Sequence, residues 1–198
     1  MAGWSEHTGQ AVGLPLENVD TDQLIPARFM SAPRSAGYGG YLLHDLRQGP
    51  DGAPDPAFPL NRAEGASILI ARRNFGCGSS REAAVYALAD AGFRVVVAPS
   101  FGDIFASNAV GNGVLPARVT DADAESLLNR APLALTVDLE ACELRHKGGT
   151  VPFEIDPVWR LKLINGWDDI DLTRAYGDRI AAHATRWAAQ APWSVPPG

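Results

Sequence analysis

The segment Asn74-Phe-Gly-Cys-Gly-Ser-Ser-Arg-Glu82 carries the residue types best suited to chemistry. It lies between a predicted buried strand and a predicted helix, where unpaired backbone N–H groups and the positive end of a helix dipole meet. Two glycines let a ligand approach the backbone, two serines supply hydroxyl groups, and an arginine supplies a fork for a carboxylate or phosphate. These residues are Gly76, Gly78, Ser79, Ser80 and Arg81. The segment therefore predicts an anion-binding site.

A structural role for part of this segment is also open. Ser79 and Glu82 fit a capping box, in which Ser79 caps the helix and Glu82 reaches back to the Ser79 N–H. Capping leaves both glycines, the second serine and the arginine unexplained, so ligand binding is favoured. Three familiar alternatives do not match: a dinucleotide fingerprint needs a third glycine, and the sequence of a P-loop or of a G-x-S-x-G nucleophile elbow is not present.

A second polar segment is Asn18-Val-Asp-Thr-Asp-Gln-Leu-Ile-Pro26. If it is extended, Asp20 and Asp22 lie on one face and Thr21 on the other. Paired acids can position an arginine, bind a metal or hold a serine network. Asp-Thr-Asp is equally typical of a turn or a helix cap, so both interpretations are open.

A third segment runs from Pro99 to Asn108 and continues at Asn112-Gly-Val-Leu-Pro116. Ser100 and Asp103 match a capping box, two phenylalanines four positions apart share a helix face, and Asn-Gly is a turn signal. A structural role is favoured here.

Hydrophobic patterning predicts the helices and strands that position these segments. Strands are predicted over 67–71, 93–98 and 114–119, alternating with helices over 81–91, about 101–110 and 121–130. Strands that alternate with helices predict an α/β core with parallel pairing. A β-rich appendage follows, with strands over 133–138, 142–146 and 150–155. A helical C-terminal extension covers about 156–198, with a break at Asn165-Gly166 and a helix over 172–189.

The stretch from Pro33 to Pro59 is rich in glycine and proline and predicts a long loop. A lid or specificity loop and a flexible insertion are both open interpretations. The chain as a whole, residues 1–198, is predicted to form a single domain that includes this loop-rich segment.

Composition excludes several classes of protein. Hydrophobic residues make up 46% and charged residues 20%, so the chain can bury a core. The net charge of −6 argues against nucleic acid as a partner. No apolar run is long enough to span a membrane, and no targeting leader is evident, so we expect a cytoplasmic location.

Cysteine and histidine usage argues against a metal site in this chain alone. Its two cysteines, Cys77 and Cys142, cannot build a four-cysteine zinc or iron–sulfur site, and no disulfide is expected in a reducing compartment. The four histidines are scattered, without metal-ligand spacing.

In their order and spacing, the three polar segments resemble the small-subunit family of bacterial 3-isopropylmalate dehydratases, which is homologous to the swivelling domain of aconitase. The similarity runs from about His7 to the C-terminal helix. The resemblance implies a three-layer swivelling β/β/α domain, with a mixed, barrel-like sheet and flanking helices.

The resemblance also implies a hydro-lyase reaction of leucine biosynthesis. In this family, 2-isopropylmalate is dehydrated to an alkene diacid and rehydrated to 3-isopropylmalate. A separate large subunit carries a [4Fe–4S] cluster whose open iron binds the substrate hydroxyl and a carboxylate. This chain would thus work in a heterodimer, bind a small hydroxyacid or dicarboxylate, and hold no cofactor alone.

Motif matching implies residue roles. Ser79 would be the base, acting as an alkoxide, and Ser80 with Arg81 would hold a substrate carboxylate. Thr21 and Asp22 would also be substrate-binding residues, since they match the segment that lines the same pocket and orders its polar network. Four further residues would support the site: Asp20, Gly76, Gly78 and Glu82.

Two departures bear on the substrate. Ala83 stands where the family commonly has histidine, and the loop Ala27–Gly40 lies where the family adjusts its grip on the variable side group. Arg28 and Arg34 in this loop could bind carboxylate or serve only solubility. Cys77 could face the cluster or be a small buried residue.

The sequence leaves other functions open. Within the same class, the substrate could be citraconate/2-methylmalate or homoaconitate. In another class, the chain could be a non-catalytic partner or an anion-binding module. A self-contained serine hydrolase lacks a plausible His–Asp set.

Overall fold

The computed structural model describes residues 2–194 and divides the chain into two compact units, Met1–Gly166 and Trp167–Gly198. Strands of the first unit are β1 (Glu6–Leu14), β2 (Ile68–Ala71), β3 (Val95–Ala98), β4 (Leu115–Arg118), β5 (Leu133–Asp138), β6 (Glu143–His146) and β7 (Gly149–Pro152). Its α-helices are α1 (Thr21–Leu24), α2 (His44–Arg47), α3 (Glu82–Asp90), α4 (Asp103–Gly111), α5 (Asp121–Leu128) and α6 (Pro157–Asn165). The second unit contains α7 (Asp169–Arg174) and α8 (Gly177–Gln190).

A mixed seven-stranded sheet forms the centre of the first unit, in the order β4-β3-β2-β1-β5-β6-β7. The four strands from β4 to β1 are parallel, and the pairs from β1 to β7 are antiparallel. Arg118 at the end of β4 and Glu154, just after β7, exchange two backbone hydrogen bonds of 3.1 and 2.7 Å. Opposite ends of the strand order therefore meet, and the predicted barrel-like mixed core is confirmed.

Alternating side chains of the strands serve two separate hydrophobic cores. In β2, Leu69 belongs to the cluster that includes Leu88 of α3, whereas its neighbour Ile68 belongs to the cluster that includes Leu127 of α5. All four residues of β2 and of β3 are buried. This double burial is typical of parallel strands and explains their continuous apolar sequences.

Most predicted elements are confirmed to within a few residues, with two exceptions. Strand β1, at the centre of the sheet, was not predicted, since polar residues and two glycines interrupt its pattern. The single helix predicted over 172–189 is wrong: α7 begins earlier, at a capping box formed by Asp168 and Asp171, and the chain leaves helical geometry at Tyr176 before α8 begins. Within residues 2–194, no helix is both long and apolar enough to cross a lipid bilayer.

The loop-rich stretch 33–59 is anchored to the core rather than loosely attached. Leu42 and Leu43 have no exposed surface. Arg34 pairs with Asp90 at the end of α3, with 2.8 Å between Nη2 and Oδ1, and its guanidinium lies 4.4 Å from the ring centre of Tyr86. These contacts argue against a flexible insertion, and a lid function stays a prediction.

Candidate active site

The three polar segments follow three adjacent parallel strands, at the point where each strand ends. Strands β1, β2 and β3 are neighbours in the sheet, and their carboxyl ends lie at one edge. In α/β folds, whether the sheet is open or closed into a barrel, ligands bind at the carboxyl ends of the parallel strands. The fold thus brings together segments whose first residues, Asn18 and Pro99, are 81 positions apart in the sequence.

Main-chain hydrogen bonds hold the three segments side by side. Gly76 N–H donates to Val19 O at 2.7 Å, and Thr21 N–H donates to Cys77 O at 2.9 Å. On the other side, Phe75 N–H donates to Ser100 O at 3.0 Å and Gly102 N–H donates to Phe75 O at 2.9 Å. The middle segment is therefore fixed on both sides.

Glycine is required where these segments touch. Gly76 has φ +72°, and a Cβ there would lie 2.1 Å from the ring of Phe105. A Cβ at Gly102 would lie 2.5 Å from the carbonyl oxygen of Gly76. Any side chain at either position would force the segments apart.

Two asparagines at the start of the segments were missed by sequence reasoning. Asn18 and Asn74 have φ of 54° and 61°, and Asn74 Nδ2 donates to Asn18 Oδ1 at 2.8 Å. Asparagine tolerates the left-handed region better than most residues. An asparagine at the first position of both motifs was the signal that could have identified them.

The predicted capping box between Ser79 and Glu82 does not form. Helix α3 begins at Glu82 with Arg81 at the N-cap position and without a side-chain cap. In the predicted box, the Glu82 side chain would accept a hydrogen bond from Ser79 N–H. That N–H donates instead to Thr21 Oγ1 at 3.2 Å. Ser79 and Ser80 precede the helix on an exposed turn, ahead of its first backbone N–H groups.

The Asp-Thr-Asp segment is a helix cap and not an extended strand, so the alternating-face interpretation is wrong. Asp20 Oδ1 accepts from Gln23 N–H at 2.7 Å, and Gln23 Oε1 accepts from Asp20 N–H at 2.9 Å. This capping box starts the one-turn helix α1. As a result, Thr21 points inward with 1% of its surface exposed, while Asp22 faces solvent.

Charged side chains of the two segments meet at Arg81, where Nη1 donates to Asp22 Oδ1. Glu82 faces elsewhere and accepts from Asn112 Nδ2 at 3.0 Å. Cys77 is half-buried. Burial raises the pKa of its thiol, and the Asp20 carboxylate adds to the increase, so Cys77 is protonated at neutral pH and is a poor nucleophile.

The capping box predicted between Ser100 and Asp103 is also wrong. Helix α4 begins at Asp103 with Gly102 at the N-cap, and no side chain caps it. Ser100 Oγ instead accepts from Asn74 N–H at 2.8 Å. The structural role expected for this segment therefore takes a different form, since Ser100 holds the start of the middle segment.

Neither arginine of the Ala27–Gly40 loop serves only solubility. Arg28 pairs with Asp45 through both terminal nitrogens, with 2.8 Å between Nη1 and Oδ2, and its guanidinium lies 4.6 Å from the ring centre of Phe29. Arg34 pairs with Asp90 as described above. Both guanidinium groups are engaged within the chain.

We expect Asp45 to titrate with a pKa of about 2, lowered from 3.8 by hydrogen bonds from Arg28 and His44. Because the folded-state pKa is lowered, the ion pair contributes stability above about pH 4 and loses it as the pH falls towards 2. A carboxyl-carbon NMR titration measures this directly. Arg28→Gln should shift the pKa of Asp45 towards 3.8, and a wild-type value near 3.8 would contradict the expectation.

No group of three histidine, cysteine, aspartate or glutamate side chains in residues 2–194 is arranged to hold a metal ion. Cys77 and Cys142 are free thiols. The arrangement at the sheet edge instead presents two exposed hydroxyl groups and a guanidinium at a helix N-terminus, which suits carboxylate binding. Two hydrogen-bonded contacts join the segments there, one between Thr21 and Ser79 and one between Asp22 and Arg81.

Comparisons with known proteins show the family to which the chain belongs. The family model of the aconitase C-terminal domain matches residues 1–122. The chain is 48% identical to the 3-isopropylmalate dehydratase small subunit of Shouchella clausii over 92% of this chain and 95% of the relative. For the same subunit of Geobacillus kaustophilus, identity is 47% over 94% and 98%. A solved structure, 3-isopropylmalate dehydratase of Methanocaldococcus jannaschii, shares the fold with a TM-score of 0.66 at 24% identity, covering 91% of this chain and 99% of that one.

Proposed function

Because the chain belongs to the aconitase C-terminal domain family and, within it, to the 3-isopropylmalate dehydratase small subunits, we propose that it isomerises 2-isopropylmalate and 3-isopropylmalate. It acts as a hydro-lyase subunit of leucine biosynthesis, together with a large subunit. The observation that carries this conclusion is identity of 47–48% along more than nine-tenths of the chain with relatives of that name. The anion-binding turn at the sheet edge supports it.

Ser79 is proposed as the base. As an alkoxide it would take the proton from the carbon next to the hydroxyl-bearing carbon, while the C–H electrons form the double bond and the hydroxyl departs. The hydroxyl would leave as hydroxide, with the large subunit's iron as the Lewis acid that makes it a viable leaving group. Rehydration would then place a proton on the carbon that lost the hydroxyl and a hydroxyl on the carbon that lost the proton, which gives 3-isopropylmalate. A serine hydroxyl is a weak acid, so its anion needs stabilisation from the positive end of α3 and from the Arg81 guanidinium.

Ser80 and Arg81 are proposed to bind a substrate carboxylate. Both belong to the turn that precedes α3, and the guanidinium is 23% exposed, so it is accessible at the edge of the site. Gly76 and Gly78 shape the turn, since both have positive φ. The proposed binding groups are therefore next to the proposed base in the same turn.

An iron–sulfur cluster does not fit the residues of this chain. The chain's two cysteines, Cys77 and Cys142, cannot supply the thiolates that such a cluster needs. We therefore assign the [4Fe–4S] cluster of the family to the large subunit, and assign proton transfer and carboxylate binding to this chain. Its partners are then the large subunit and a small hydroxyacid.

Anaerobic co-expression with the large subunit from the same source, followed by a substrate panel, tests the proposal. Turnover of 2-isopropylmalate should exceed that of 2-methylmalate and of homoaconitate by at least about tenfold, the scale of discrimination that a hydrophobic pocket gives. Faster turnover of 2-methylmalate or of homoaconitate than of 2-isopropylmalate would contradict the proposed substrate. Isolation of the chain without such a partner and without hydro-lyase activity would instead support an anion-binding module.

A further inference from the structure

We propose that Thr21 and Asp22 are positioning residues, which act through Ser79 and Arg81 rather than on the substrate. This inference rests on the proposed function and deepens it. Motif matching alone places both residues among the groups that bind substrate. Their contacts indicate instead that α1, a single helical turn, holds the Ser79 backbone 58 positions away and the Arg81 guanidinium 59 positions away.

Thr21 binds the backbone of Ser79 through its side-chain hydroxyl. Its Oγ1 donates to Ser79 O at 3.1 Å and accepts from Ser79 N–H at 3.2 Å. A hydroxyl has one hydrogen to donate, and here that hydrogen is used. With 1% of its surface exposed, Thr21 presents nothing to a ligand, but it binds both the backbone N–H and the backbone C=O of the residue that carries the proposed base.

Asp22 orients the guanidinium of Arg81. Its carboxylate accepts from Nη1, which leaves the other N–H groups of the five-donor fork for a second acceptor. Direct binding of a dicarboxylate by Asp22 would bring like charges together, which is unfavourable. By contrast, an Asp22 carboxylate that accepts from one nitrogen of Arg81 fixes the orientation of the whole guanidinium group.

Helix α1 is rigid enough for this task. The capping box between Asp20 and Gln23 closes its single turn, and Thr21 N–H is bonded to Cys77 O. Leu24 at its end is fully buried. Thr21 and Asp22 are therefore fixed to the core and to the middle segment at once, and Asp20 supports the site by starting this turn.

Amide hydrogen exchange of Ser79, measured by NMR on the full chain alone, tests the role of Thr21 without any activity. Thr21→Val removes the acceptor, so exchange of the Ser79 N–H should accelerate by about tenfold, the effect of losing one hydrogen bond. Thr21→Ser keeps the hydroxyl and should stay within about twofold of the wild type. Unchanged exchange in Thr21→Val would overturn the role of Thr21.

Kinetics of the complete complex test the division of labour. Thr21→Val should lower kcat by about 30-fold with KM within about threefold, and Thr21→Ser should recover most of kcat. Asp22→Ala should raise KM by about tenfold at nearly constant kcat. Asp22→Asn should recover part of that loss, since its amide oxygen still accepts from Arg81.

The opposite results are equally informative. A lower KM in Asp22→Ala would mean that Asp22 only repels the substrate, which would overturn its positioning role. Asp22 is exposed, so its substitution tests the proposal even if Thr21→Val destabilises the chain. A wild-type complex without hydro-lyase turnover would count against the proposed function, whereas the exchange result at Ser79 would still decide the role of Thr21.

Discussion

Replacing Ser79 with alanine is expected to lower kcat of the complete complex by about 10³-fold, within the range of general-base contributions. The substitution removes only a hydroxyl on an exposed turn, so the core is unaffected. The backbone contacts between Ser79 and Thr21 do not involve the Ser79 side chain and should persist. Loss of turnover with normal assembly is therefore the signature of a missing base.

Steady-state kinetics and analytical gel filtration of the cluster-loaded complex measure both properties together. Ser126→Ala, at an exposed position of α5 outside the three polar segments, is a matched control and should leave kcat unchanged. Turnover of Ser79→Ala within about tenfold of the wild type would show that another group takes the proton. A complex that fails to assemble only in Ser79→Ala would assign the serine to the subunit interface.

Local patterns were sufficient for most of the fold. Strands β2 and β3 are buried on both faces, so each reads as a short apolar run, and the helix after β2 begins within one residue of its predicted start. Strand β1 could not be recognised in the same way. The first glycine of β1 is explained by a distant neighbour, since a Cβ at Gly9 would lie 2.0 Å from Ser67 Oγ.

Capping patterns failed where a distant residue competed for the same donor or acceptor. Ser79 N–H is taken by Thr21, and Ser100 Oγ is taken by Asn74 N–H, so neither serine forms the local box that its sequence favours. At Asp20, where no distant partner intervenes at the cap, a local box does form. The residue types of the site were thus predictable, but their contacts depended on which strands lie side by side.

The arginines of the Ala27–Gly40 loop also have partners that the local sequence does not indicate. Arg28 and Arg34 carry no sequence signal for their partners, which lie 17 and 56 positions away. Burial on its own would raise the pKa of Asp90, but hydrogen bonds from Arg34 and from Tyr38 N–H outweigh it and lower that pKa. The tertiary fold, and not local composition, decides that these arginines are engaged.

Gly76→Ala is expected to destabilise the chain by about 3 kcal/mol or more, because two penalties coincide. The φ of +72° is unfavourable for any residue with a Cβ, and that Cβ would lie 2.1 Å from the ring of Phe105, a side chain with 3% of its surface exposed. The ring cannot move away without disturbing its packing against Phe75, whose ring centre is 5.3 Å distant. Both the core and the turn that carries Ser79 would shift.

Urea unfolding of the full chain separates the two penalties when Gly76→Ala is compared with two matched variants. Gly78→Ala has a positive φ of +92° but only ordinary contacts, the nearest 3.5 Å away, so it should cost about 1 to 2 kcal/mol. Gly40→Ala meets no atom within 4 Å and should change the free energy of unfolding by less than about 0.5 kcal/mol. If Gly76→Ala costs no more than Gly78→Ala, the contact between the turn and Phe105 is not close enough to require glycine. A clear excess in Gly76→Ala would show that the turn is held against α4 by packing, because the difference between the two variants isolates the steric contact from the strain of the backbone.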